Sequence, residues 1–213
     1  MTDRFPDYDV LAKRDSPSWN AQTRRVIDAR LALEERPDVL SETQLATLRA
    51  LVDRITPQPE GRPPVNAVAL LIEKIAADAS DGYRAAKLPR VKEAWLRGLD
   101  AIDAEARARE GKPFALLDGE RADAVLTAIE HGEVRSDAWG DMPAAQFWGW
   151  RIIPDIVSAY YAHPSAWSAM GFGGPASPRG YVRLEPDKRD PWEAAEADDG
   201  SLISAAFRNR HAR

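Results

Sequence analysis

The chain has no cysteine. That excludes disulfides, thiol nucleophiles and cysteine-ligated metal at once. No apolar run is long enough to cross a bilayer. The longest, Val65 to Ile72, is interrupted by Asn66 and ends at Glu73. Positive charge is in short supply: 29 Lys and Arg stand against 34 Asp and Glu, a net charge of -5. A general nucleic-acid binder wants a basic footprint, so that class is disfavoured. The opening stretch MTDRFPDYDVLAKRD has neither an apolar signal region nor a twin arginine. A cytoplasmic protein is therefore expected, or a periplasmic one if it is exported with a partner or if a signal was trimmed.

The motifs of common chemistries are missing as well. There is no Gly-x-Ser-x-Gly elbow for a hydrolase. The three histidines, His131, His163 and His211, share no helix face with one another. No metal set is expected from them. His131 follows Glu130 near a helix end, where the dipole favours a surface histidine. Gly171-Phe172-Gly173-Gly174 invites a phosphate-loop reading, but a helix rather than a strand precedes it, prolines follow, and the Walker lysine is absent. His163, beside Pro164 and near Trp167, is the one residue with a conceivable active-site role; a histidine hydrogen-bonded within its own loop is the simpler reading. No catalytic, cofactor-binding or metal-binding residue is assigned.

What is present is helical patterning. At 213 residues the chain can bury roughly 70% of its unfolded surface. Ser16-Pro17 can open a first helix running to about Leu33. Ser41 and Gln44 form a capping box, and Leu45, Leu48, Val52 and Ile55 follow on one face. Pro57 and the loop 57–64 break the chain. Pro64 can start a helix with Val68, Leu71, Ile72 and Ile75 as its stripe. Residues 78–86 read as a polar connection. Pro89 starts another helix, carrying Val91, Trp95, Leu99, Ile102 and Ala106, and Gly111 closes it. Asp118 begins the next, ended by Gly132. Pro143 to about Tyr161 reads as helix, kinked or split at Pro154. No window shows strand alternation. The expectation is an all-α domain of roughly six helices with long Pro- and Gly-rich loops. Residues 1–17 form an N-terminal arm lying on a surface, 18–185 the helical domain, and 186–213 a charged tail, extended or mobile.

The most informative stretch is Tyr160 to Tyr181. It sets Tyr160, Tyr161, Trp167, Phe172 and Tyr181 among Pro164, Pro175, Pro178 and four glycines. Breakers at that density exclude one long helix, and that many aromatics exclude a flexible linker. A rigid, loop-built surface results, touching either the chain's own core or a partner. Seven tryptophans are many for this length. Trp95 belongs to a helical stripe and reads as core. Trp192, in the polar tail, reads as an anchor that docks onto something. The predicted partner contacts are Tyr8, Trp19, Trp167, Met170, Phe172, Tyr181 and Trp192.

Several segments in order resemble one family, the gluconate 2-dehydrogenase subunit 3 proteins. They are LRALVDRITPQ (48–58), PPVNAVALLIEKIA (63–76), WLRGLDAIDAEARAREGKPFALLDGERADAVLTAIEHGE (95–133), and the segment from Ile153 to Tyr181 with its Met-Gly-Phe-Gly-Gly-Pro. The resemblance covers roughly residues 40–185. It implies a small, non-catalytic subunit that binds and stabilises a large FAD-carrying flavoprotein of the glucose-methanol-choline (GMC) type. That partner oxidises a sugar or sugar-acid hydroxyl, and a cytochrome c or other acceptor takes the electrons. FAD is expected in the partner, and no cofactor in this chain. The family's usual twin-arginine signal is absent here. The arm PDYDVLAKRDSPSWNAQTRRVIDARL (6–31) resembles the form paired with glucoside 3-dehydrogenases, implying oxidation of a glycoside at the C3 ring position. Two rival readings are a stand-alone enzyme on a small polar substrate around His163, and an interaction scaffold unrelated to flavoproteins.

Overall fold

The computed structural model describes residues 4–79, 82, 85–197 and 205–211. Among them there is no strand, and the all-α expectation holds. In chain order the helices are α1 Ala21–Leu31, α2 Glu42–Ile55, α3 Ala67–Ala76, α4 Val91–Glu110, α5 Gly119–His131, α6 Ala144–Phe147, α7 Ile153–Tyr161, α8 Pro164–Ala169 and α9 Ala205–His211. Short 3-10 turns lie at Val10–Lys13, Phe114–Leu116 and Asp137–Trp139, and a π-helical segment Trp148–Ile152 joins α6 to α7. None of these helices is long and apolar enough to cross a membrane.

Helix ends follow local chemistry. Ser41 and Gln44 close the capping box of α2: Gln44 N–H donates to Ser41 Oγ at 3.2 Å, and Ser41 N–H to Gln44 Oε1 at 3.0 Å. Asp118 caps α5 by accepting from Arg121 N–H at 3.0 Å. Gly111 and Gly132 end α4 and α5 in the left-handed region that glycine reaches without penalty. His131 closes α5, its Nδ1 2.8 Å from Thr127 O. The first helix starts later than Ser16-Pro17 suggested. Ser16 Oγ instead donates to Lys13 O at 2.6 Å and accepts from Ser18 N–H at 3.2 Å, closing a turn. Asn20 then caps α1, accepting from Thr23 N–H at 2.8 Å. The break expected at Pro154 is a π-bulge: Ile153 N–H reaches back to Trp148 O. Proline has no N–H for the regular ladder, and one wider turn before it absorbs the mismatch. The connection read over 78–86 falls partly outside the described residues.

The chain divides into two compact units. The first comprises Glu34–Pro57 and Asn66–Tyr160. Its centre is α4, against which α2, α3, α5 and α6 pack. Trp95, Leu99, Ile102, Leu48, Leu51, Ile72, Ile75, Ile129 and Phe147 are fully buried there. Each such side chain contributes about 1.5–3 kcal/mol by leaving water. Phe147 stands edge-on to Trp95 with centroids 5.4 Å apart and lies 6.1 Å from Trp139. Buried polar groups in this unit are paired where they bind its elements together. Asp155 accepts from Trp95 Nε1 at 2.8 Å and from Lys74 Nζ at 2.9 Å, with Arg151 Nη1 3.4 Å away. Glu105, wholly buried, accepts Arg135 N–H at 2.9 Å and Ser136 N–H at 2.8 Å and pairs with Arg109.

The second unit gathers the described residues of Met1–Leu33, Gln58–Val65 and Tyr161–Arg213. Its core is Tyr8, Val10, Trp19, Ile27 and Trp167, with Phe5, Leu11 and Ala194 packed against it. The arm thus supplies part of this core through Tyr8 and Val10. Arg62 straps it down by donating to Tyr8 O at 2.6 Å and Phe5 O at 2.5 Å. The tail is more ordered than its charge implied. Asp190 is buried and accepts from Arg179 at 3.1 Å, while α9 returns onto the chain through Asn209, which donates to Glu193 O at 2.8 Å. The carboxylates Asp190 and Glu193 of this stretch pair with Arg179 and Arg183 just before it, and Arg189 lies 3.7 Å from Glu193.

A candidate partner-binding surface

The segment expected to be all loop contains a short helix. His163 is the N-cap of α8: its Nδ1 accepts from Ser165 N–H at 3.1 Å, and Pro164 takes the first helical position. Proline's missing N–H costs nothing there, so a residue read as a breaker is a starter. Burial lowers the His163 pKa from its ordinary value, and the ring is committed to the cap.

At its C-terminus α8 closes with a Schellman motif. Gly171 N–H donates to Ser168 O at 3.2 Å, and Phe172 N–H to Trp167 O at 2.8 Å. Gly171 has φ +70°, which that position requires. The motif brings its outermost residue over the third from the helix end, and here those are Phe172 and Trp167. Their rings stand perpendicular with centroids 6.1 Å apart. The glycines of Gly171-Phe172-Gly173-Gly174 thus shape backbone. At Gly174, also with positive φ, a Cβ would lie 3.0 Å from Val10 Cγ2 and 3.1 Å from Trp167 Cε3.

Six of the seven predicted contacts divide into two groups, and Trp192 stands between them in exposure. Tyr8, Trp19 and Trp167 are buried inside the unit, at 4%, 2% and 5% exposure. Trp19 Nε1 donates to Pro175 O at 2.7 Å, Trp167 Nε1 donates to Tyr161 O, and Tyr8 Oη points at Phe172 O, 3.4 Å away. Burial above all, with Asp9 next, pushes the Tyr8 hydroxyl up to about 12. Met170, Phe172 and Tyr181 face outward at 52%, 43% and 68% exposure, continued by exposed Val182 and Leu184. Tyr181 is pinned by its hydroxyl, which donates to Gly174 O at 2.6 Å. Trp192 is half-buried under the Arg179 guanidinium, 5.4 Å above its ring. Lys13 and Arg179, which the sequence did not single out, sit beside these aromatics; a lysine in a polar arm gives no signal that it is buried.

Among the described residues no group of three or more metal-ligating side chains comes together. A family model described as gluconate 2-dehydrogenase subunit 3 matches residues 42–174. That is well over half of the chain. The protein belongs to the gluconate 2-dehydrogenase subunit 3 family. It is accordingly an accessory subunit of a dehydrogenase complex. Neither curated proteins nor solved structures give a match to the chain. The family match takes in all of α2 through α8 and ends at Gly174, so the arm, α1 and the tail lie outside it.

Proposed function

We propose that this gluconate 2-dehydrogenase subunit 3 protein is the non-catalytic small subunit of an FAD-dependent sugar or glycoside dehydrogenase. It clamps and stabilises a large GMC-type flavoprotein that carries the FAD and oxidises a sugar hydroxyl, at C3 of a glycoside in the favoured case. Electrons leave to a cytochrome c or another acceptor. In this reading the complex forms in the cytoplasm, or in the periplasm if the chain is exported with its partner or carried a signal that was trimmed.

The observation that carries the reading is that Met170, Phe172, Tyr181, Val182 and Leu184 all stand exposed within fifteen residues, on a chain whose family is a dehydrogenase subunit. Large apolar side chains left together in water mark a contact surface. These are held by a Schellman closure, a tyrosine hydrogen bond and a buried Trp167 platform. A surface ordered before binding loses little entropy on docking. Tyr8, Trp19 and Trp167 then serve the interface from beneath, by holding its shape.

The test is co-expression with the flavoprotein encoded beside this chain. A soluble yellow complex with flavin absorbance is expected. Joint Phe172→Ser and Tyr181→Ser substitution should abolish co-elution while leaving the subunit's circular dichroism unchanged. The proposal fails if the large subunit folds, loads FAD and turns over equally well alone, or if the complex that forms is colourless.

A further inference from the structure

The second unit carries an open cleft of about 350 Å³. Tyr8, Tyr181 and Trp192 supply aromatic walls, and Lys13, Arg179, Arg183, Asp190 and Glu193 supply charge. Two of the cations are paired: Arg183 with Glu193 at 2.8 Å, and Arg179 with Asp190 at 3.1 Å. Lys13 is not. It is only 2% exposed, and no carboxylate, hydroxyl or carbonyl among the described residues accepts from its Nζ. Its ammonium lies over the Trp19 ring, 5.9 Å from the centroid. The Nζ lies 3.8 Å from where a Cβ on Gly173 would stand, and Gly173 lines the same cavity. Arg179 adds a second open donor. Its Nη2 is used on Ser18 and Asp190, but its buried Nε has no acceptor.

The Lys13 stem is buried and its ammonium faces the cavity with no protein acceptor, a charge that is costly unless something compensates it. A second donor without an acceptor beside it repeats the same demand. We propose that this cavity binds a small organic monocarboxylate, its oxygens taken by Lys13 Nζ and Arg179 Nε and its body set among Tyr8, Tyr181 and Trp192. The charge count selects the class. Three cations against two carboxylates leave one positive charge, which a monoanion neutralises. A phosphate dianion would meet Asp190 and Glu193 with excess negative charge. The volume suits a compact ligand at the lower end of small-molecule sites. Every wall comes from this chain, Tyr181 being shared with the surface proposed above, so binding is measured on the chain alone.

Lys13 also supplies a pH signature. Burial first, and the Arg179 charge second, pull its pKa down to about 8. The ammonium is thus mostly charged at neutral pH and discharges just above it. Tyr8 and Tyr181 face it from the arm and the loop, Arg179 and Arg183 add positive charge, and Asp190 and Glu193 are already paired.

The test is calorimetric titration of the purified full chain with benzoate, benzamide and inorganic phosphate. Saturable benzoate binding is expected, with benzamide and phosphate at least about tenfold weaker. Lys13→Met should weaken benzoate at least about tenfold, and Lys13→Arg should keep most of the affinity. In the wild type, benzoate affinity should fall about tenfold per pH unit above about pH 8. That last measurement decides even if the Met variant does not fold. No saturable benzoate binding, equal binding of benzamide, tighter binding of phosphate, or a flat affinity between about pH 7 and about pH 10 each overturns the proposal.

Discussion

Replacing Gly98 by alanine sets two physical rules against each other. Gly98 lies in the interior of the long helix α4. Helix propensity alone makes Gly→Ala favourable by about 1 kcal/mol at such a site. Packing says the opposite. A Cβ there would stand 2.2 Å from Phe147 Cζ, 2.3 Å from Cε1 and 2.8 Å from Cε2. Ordinary carbon contacts are about 3.5–4 Å, so the ring must retreat by more than about 1 Å. It has nowhere to go, being fully buried edge-on against Trp95 and close to Trp139. Overpacking of this kind costs about 1–3 kcal/mol, occasionally more, and here three carbons at the tip of the ring are hit. The net expectation is a loss of about 2 kcal/mol, a drop in melting temperature of roughly 4–8 °C for a chain of this size. Thermal unfolding followed by far-ultraviolet circular dichroism reads it. Phe147→Leu should open the space, so that Gly98→Ala costs much less in that background, with a coupling of about 1 kcal/mol or more. An unchanged or raised melting temperature for Gly98→Ala alone would refute the argument, because propensity would then have outweighed the clash.

Two further outcomes follow from buried charges of the first unit. Glu105 is desolvated, which alone would raise its pKa, yet the N–H groups of Ser136 and Arg135 and the Arg109 guanidinium hold it below its ordinary value. A lowered folded pKa means the stability it gives is present above the unfolded glutamate value and is lost as pH falls through the folded one. Glu105→Gln should therefore cost about 2 kcal/mol at neutral pH, with the gap to wild type narrowing in acid. A gap that stays constant down to low pH in urea melts would contradict this. Asp155→Ala removes the acceptor shared by Trp95, Lys74 and Arg151 and should cost about 3–5 kcal/mol; a loss below about 1 kcal/mol would mean the ion cluster is replaceable by water.

Much of the fold was legible because its signals are local. The capping box at Ser41, the cap at Asp118 and the closing glycines Gly111 and Gly132 each act within one helical turn, and each stands where the sequence put it. The stripe from Trp95 to Ala106 is buried as its spacing required. What misled was competition among local options. Ser16-Pro17 could open a helix, but Ser16 closes a turn onto Lys13 O instead. Pro164 looked like a breaker and is a first helical residue. The tail read as extended or mobile from its charge, and Asp190 and Glu193 within it pair with Arg179 and Arg183. Gly98 gives no sign of its role, since nothing local says that a ring from a residue far along the chain will press on it.

The stretch from Tyr160 to Tyr181 shows why a contact surface cannot be read from aromatics alone. Trp167 and Phe172 are five residues apart and equally suited to a partner by composition. The Schellman closure at Gly171 separates them, turning Phe172 outward over Trp167 while α8 keeps Trp167 inward. What then covers Trp167 is Tyr8, Val10, Trp19 and Ile27, all outside the residues matched by the family. The family segment supplies one wall of this core, and the N-terminal arm with α1 supplies the rest. The exposed row beside Phe172 is therefore shaped by residues the family model does not contain. If that row meets the dehydrogenase partner, the arm is a determinant of which partner it fits, because the geometry of Phe172 and Tyr181 depends on the packing beneath them.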